Sequence, residues 1–156
     1  LGTGQYITHA VSSFVQPGLI PLLIFIVSML ITVATGFSWS SMAIVMPIAF
    51  QMVVAGNMPE MIPVVSAAVI SGAVSGEHII PFSEKAVMSA AACKITPVYH
   101  IKTQILQSIS VFIAAGMGYL IIGLSHSLLL AFAIPLALLL TLHFSFAREN
   151  TQAIIK

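Results

Sequence analysis

The sequence predicts an all-α integral membrane protein, a helical bundle in which two helices are broken or re-entrant. Three observations carry this. Of the 156 residues, 59% are hydrophobic and only 6% charged, with a mean hydropathy of +1.11, whereas a soluble domain is ordinarily about 25% charged because it must cover a wetted surface. The charge is also unevenly placed: no Asp, Glu, Lys or Arg occurs from Leu1 to Pro59, nor from Thr103 to Ala147, and such runs need lipid as their solvent. Finally, two apolar stretches are interrupted, by TGFSWSS at 35–41 and by GEHIIPFS at 76–83.

The same composition excludes several classes. A formal net charge of +1 with no basic stripe leaves nothing to neutralise phosphates, so nucleic acid is not a partner. Cys93 is alone, which excludes an intramolecular disulfide and a cysteine metal site and reads as a small packed apolar residue. There is no HExxH, P-loop or dinucleotide fingerprint, so no cofactor and no enzyme activity are expected. The first residues lack a basic region before an apolar run, so they do not read as a signal peptide. Four to five spans are few for a transport pathway, and the chain reads as a piece of something longer.

Taken in order, residues 1–17 form a mixed, interfacial segment, with Tyr6 and His9 at headgroup depth. Residues 18–95 hold the two interrupted stretches, 18–56 and 61–93, with a turn at Asn57, Pro59 and Glu60 between them. Whether 18–56 is a re-entrant hairpin, one broken helix or two crossings is open from sequence. A short helix from Glu84 to Cys93, capped by Ser83, follows the second break. Residues 96–156 complete the chain: the polar connection 94–102, two spans at about 103–123 and 127–146, and a short tail. Lys94 and Lys102 precede these spans and Arg148 and Lys156 follow them. An even number of crossings puts all four cations on one side, so loop 94–102 and the C-terminus are expected in the cytoplasm of a multi-pass inner-membrane protein. His126 and His143 fall at span ends and read as interfacial.

The breaks carry the functional expectation. Non-helical backbone at membrane depth is tolerated only where it is buried in protein or lines a wet cavity. Helix N-termini there offer free N–H groups and positive potential, and interrupted C-termini offer carbonyls to cations. Glu77 is the leading candidate, because a carboxylate in the bilayer costs about 2.5–3.5 kcal/mol and persists where it binds a cation, pairs with a base or holds a proton. His78 is a proton carrier, a support for Glu77 or a helix cap. Ser83 is a cap that could also be a ligand. Glu84 and Lys85 pair with each other, pair with Glu77, or face an aqueous vestibule; the Lys85 ammonium could stand in for a bound cation or meet a substrate. Thr35, Ser38, Ser40 and Ser41 bring uncharged oxygens suited to a weakly held Na⁺, or hydroxyls that bond back to the helix. Trp39 gates or packs, and Gly72 with Gly76 makes a small-xxx-small packing pair.

These two breaks resemble the NhaC family of sodium/proton antiporters, within the wider ion-transporter superfamily. The stretch ATGFSWSSMAIVMPIA, Ala34 to Ala49, is similar to that family's ATGTSWGT-x-x-I-x-x-PIA. SGAVSGEHIIPFSEKAVMSAAAC, Ser71 to Cys93, is similar to SGA-x-x-GDH-x-SPISDTT-x-x-SS, and GTGQY and HIKTQ also fit. The resemblance implies the C-terminal portion of an inverted-repeat secondary transporter, with the N-terminal half missing from this chain. It marks Thr35, Ser38 and Trp39, with Gly36 beside them, and Gly76, Glu77, His78, Pro81 and Ser83 at the second break. The departures are Glu77 for the family's aspartate and Ile80, Lys85 and Ala86 for a serine and two threonines, so oxygen ligands are lost and a cation is gained.

The function that follows is exchange of Na⁺, or another monovalent cation, for H⁺ by alternating access, with no bound metal beyond transient Na⁺. The rivals are a coupled transporter of a small organic acid or amino acid, with Lys85 as the counter-charge, and a membrane scaffold subunit that transports nothing.

Overall fold

A computed structural model describes residues 16–155, with side chains through His143, and these residues form six α-helices joined by short turns. The interfacial segment expected at 1–17, with Tyr6 and His9, falls almost wholly outside the described residues, as do Lys156 and the side chain of Arg148. The helices are α1 (Ile20–Thr35), α2 (Ser38–Ala55), α3 (Ile62–Glu77), α4 (Glu84–Ala92), α5 (Pro97–Ser125) and α6 (Leu128–Ile155). Counting the 3₁₀ turns that lead into α1 and α3, Pro17–Thr35 and Pro59–Glu77 are each 19 residues long, Ser38–Ala55 is 18 and Pro97–Ser125 is 29. All four are long and apolar enough to cross a membrane. At 1.5 Å per residue, 19 residues reach about 28 Å, close to the ~30 Å of hydrocarbon.

Residues 18–56 therefore form two helices, α1 and α2, with only Gly36 and Phe37 between them. The first break is narrower than the expected 35–41, because Ser38 to Ser41 already belong to α2. One left-handed residue and one extended residue suffice to end a helix and start another. The second break covers 78–83 rather than 76–83, since Gly76 and Glu77 lie in the last turn of α3. The connection expected at 94–102 is shorter too. Thr96 accepts the Tyr99 N–H through Oγ1 at 3.3 Å and Pro97 is the first helical residue, so α5 starts before Lys102; cap followed by proline is a helix start. Cys93, expected to be packed, is exposed at the end of α4.

The core is the interface of α1, α2 and α3, with Ile24, Phe25, Val45, Ala49, Val53, Val65 and Val69 buried. The largest contact is between α1 and α3. It is a backbone-to-backbone contact, made possible where α3 carries Gly72 and Gly76. A Cβ added at Gly76 would lie 2.6 Å from the Met29 carbonyl oxygen and 2.7 Å from Thr32 Cβ, and one at Gly72 would collide with the Phe25 carbonyl. Small residues on one face let membrane helices approach this closely. The Ser28 hydroxyl, fully buried, donates across the interface to the Val69 carbonyl at 2.8 Å. Helix α5 joins through Tyr119, whose ring stacks at 5.3 Å on Phe25 and whose hydroxyl meets Ser71 Oγ at 2.7 Å.

This contact makes a prediction. Gly76→Leu should lower stability by about 1–3 kcal/mol through overpacking, read as a lower melting temperature of the detergent-purified full-length protein. Gly116→Ala, at a position whose nearest outside atom would be 3.6 Å away, should leave it unchanged. Equal melting temperatures for Gly76→Leu and wild type would refute the close approach.

Candidate functional site at the two helix breaks

Helix α1 ends because Gly36 takes the left-handed conformation, φ 78°, and returns its N–H to the Thr32 carbonyl at 2.7 Å. Phe37 is then extended, and α2 begins at Ser38 without a side-chain cap from its own segment. The first N–H groups of a helix have no partner within it and carry its positive end. Here the Ser38 N–H donates to Glu77 Oε1 at 2.7 Å, a contact between residues 39 apart in sequence. The carboxylate at the end of α3 thus does the work of an N-cap for α2.

The other oxygen meets a charge. Lys85 Nζ lies 2.6 Å from Glu77 Oε2, with the Lys85 side chain 47% exposed and that of Glu77 1% exposed. Apart from this ion pair, Oε2 has no hydrogen-bond partner among the described residues. Lys85 stands in the first turn of α4, and the backbone between the two charges is fixed by hydrogen bonds. Buried Ser83 donates from Oγ to the Glu77 carbonyl at 2.7 Å, lies 3.2 Å from the Ile80 carbonyl, and accepts from the Ala86 N–H at 3.3 Å. Gln104 of α5 donates from Nε2 to the His78 carbonyl at 3.3 Å. The two breaks also touch, since a Cβ at Gly36 would sit 3.0 Å from the Phe82 ring.

Of the residues singled out from sequence, Glu77, Ser38, Ser83 and Lys85 are brought together. Ser38 takes part through its main-chain N–H. His78 is the half-buried residue that ends α3, and Pro81 is half-buried in the turn. Thr35 is exposed, with its hydroxyl bonded back to the Ile31 carbonyl at 2.9 Å. Glu84 is exposed at the start of α4. Trp39 is 69% exposed, one residue inside α2, and packs into no core. Gln104 is a residue of the site that the sequence pattern does not mark. A glutamine at the start of an otherwise apolar span was the available signal, but nothing local ties it to a carbonyl 26 residues earlier.

A carboxylate held in this way is solvated by the protein: one dipolar partner and one ionic partner replace water. The same oxygens could take a proton or a metal cation in place of the ammonium. Removing one partner of a buried pair strands the other charge. Lys85→Met should therefore destabilise the protein by about 1–2 kcal/mol after discounting for the half-exposed ammonium. Adding Glu77→Gln should recover most of that loss in the melting temperature. Additive losses in the double variant would mean that the two side chains are not coupled.

The comparisons with known proteins bear on the same residues. The chain is 31% identical over 147 residues to an uncharacterized protein of Haemophilus influenzae, covering 94% of this chain and 28% of that one. It is 24% identical over 114 residues to the malate-2H(+)/Na(+)-lactate antiporter of Bacillus subtilis, covering 72% of this chain and 24% of that protein. The chain thus spans about a quarter of the length of these curated relatives. No solved structure matches it. The model of a family described as the Na+/H+ antiporter family matches residues 1–124, which takes in both helix breaks, Glu77, Lys85 and Gln104. The chain belongs to the Na+/H+ antiporter family.

Proposed function

We propose that the protein works within a secondary active transporter that exchanges a monovalent cation, Na⁺ first among them, for H⁺ by alternating access, with Glu77 as the exchanging carboxylate. The observation that carries this is the placement of Glu77. It is 2% exposed, in the last turn of a membrane-length helix, and is divided between the N-terminus of α2 and the Lys85 ammonium. In a membrane protein, an ionisable group buried within the helix bundle and paired there is by default a candidate for an ion or proton path. A group that can hold a proton or a cation, but not both, is the smallest device that couples the two fluxes. Lys85 occupies the place a bound cation would take, and it supplies the charge that the family's lost hydroxyl ligands cannot.

A second reading is transport of a small organic acid. Two observations favour it: the Lys85 ammonium is half exposed beside the helix N-terminus of α2, where a substrate carboxylate would be stabilised, and the Bacillus subtilis relative bears the name of a malate/lactate antiporter. In either reading the remaining part of the transporter would supply the opposing half of the path. The transport-site region is 18–95, with Gly36, Gly76 and Pro81 shaping the breaks and Thr35 and His78 at their edge.

Transport is tested with the full-length parent in everted membrane vesicles carrying a pH-reporting dye, adding Na⁺, Li⁺, K⁺ and then malate or lactate. The expected result is that Na⁺ or Li⁺ dissipates the gradient in wild type and that Glu77→Gln loses at least about 90% of this, as removal of an essential proton-exchanging group should. A response to organic acids alone would replace the first reading by the second. No response to any of them would leave the scaffold reading standing.

The orientation is tested separately. Lys94 and Lys102 put the α4–α5 turn in the cytoplasm by the positive-inside rule. In a parent whose other cysteines are replaced, exposed Cys93 should react with a membrane-impermeant maleimide in everted vesicles and not in intact cells. The reverse pattern would invert the topology.

A further inference from the structure

We propose that Ser83 is a positioning residue, whose hydroxyl sets the Glu77–Lys85 pair by tying the end of α3 to the first turn of α4; its consequence for transport rests on the reading above. The carbonyls in the last turn of a helix have no partner within it, and in apolar surroundings each must be satisfied or costs free energy. The Glu77 carbonyl is such a group, and Ser83 Oγ donates to it at 2.7 Å. The same oxygen accepts the Ala86 N–H, and the Ser83 carbonyl accepts the Val87 N–H at 3.0 Å. One fully buried residue is therefore bonded at once to the residue that carries the carboxylate and to the two residues that follow Lys85. A lysine stem is flexible, and its ammonium can leave a carboxylate by rotating a few side-chain bonds. What confines it is the position of its own backbone, and through Ser83 that position is referred to the main chain of Glu77.

The functional reading of Ser83 as a ligand to the transported ion differs from this in a testable way. A ligand would change cation affinity directly. A positioning residue acts through Lys85 and changes how firmly Lys85 is held, with or without the ion.

The measurement is the rate of acetylation of Lys85 by N-hydroxysuccinimide acetate in membranes of the full-length protein, read by peptide mass spectrometry against exposed Lys94 and Lys102 as internal references. Ion pairing slows acylation of an amine, so Lys85 should react slowly in wild type. Ser83→Ala should raise its relative rate about fivefold, the equilibrium worth of one hydrogen bond, and Ser83→Thr, which keeps the hydroxyl, should leave it near wild type. An unchanged rate in Ser83→Ala overturns the proposal, and so does an equal rise in Ser83→Ala and Ser83→Thr, which would make shape rather than the hydroxyl responsible. If Ser83→Ala does not accumulate in the membrane, Ser83→Cys takes its place, with an intermediate rise expected from its weaker donor and no rise counting against the proposal. In vesicles that transport, Ser83→Ala at normal abundance should shift the pH profile of cation-driven proton flux. If wild-type vesicles transport nothing, the transport reading falls while the acetylation rates still decide the role of Ser83.

Discussion

A carboxylate that cannot be hydrated has to be solvated by its own protein, and the arrangement around Glu77 follows from that constraint. Its two oxygens are served by two different elements, the Ser38 N–H at the start of α2 and the Lys85 ammonium on α4. The first is 39 residues away in sequence, and the second lies just across the turn that follows α3. Both depend on the chain being interrupted twice in the interior of an apolar stretch, since a continuous helix would offer no free N–H group and no turn from which a lysine could reach back.

The helix packing serves this meeting. Gly72 and Gly76 bring α3 into backbone contact with α1, so the last turn of α3 lies beside the last turn of α1. Gly36 then turns the chain into α2 within two residues, which sets Ser38 against Glu77. Bulk at Gly76 would move α3 outward, away from the N–H that its terminal carboxylate accepts. Packing and electrostatics are linked here by a few ångströms of glycine.

Much of this was legible in the sequence, for a plain physical reason. In a chain with so little charge, charged residues inside an apolar run announce themselves, which is how Glu77 and Lys85 stood out. Glycine and proline mark the breaks directly, and Ser83 was readable as a cap. What was not legible was which atom of a residue acts and over what distance. Ser38 offers a hydroxyl by its sequence and contributes a main-chain amide. For Thr35 the sequence leaves open an ion ligand or a hydroxyl bonded back to its own helix, and the second is what the structure holds. Gln104 reaches the second break from α5, a contact that no local pattern encodes. Polar composition overstates the length of the first break, since serines enter the first turn of a helix readily.

The ion pair also bears on how this segment enters the bilayer. Glu77 and Lys85 lie close in sequence, on either side of one short turn, so a counter-charge follows the carboxylate almost at once as the chain emerges. The two can enter as a neutral dipole, with a far smaller electrostatic barrier than two separate ions. The feature that holds the site together therefore also lowers the electrostatic cost of bringing this turn into the bundle.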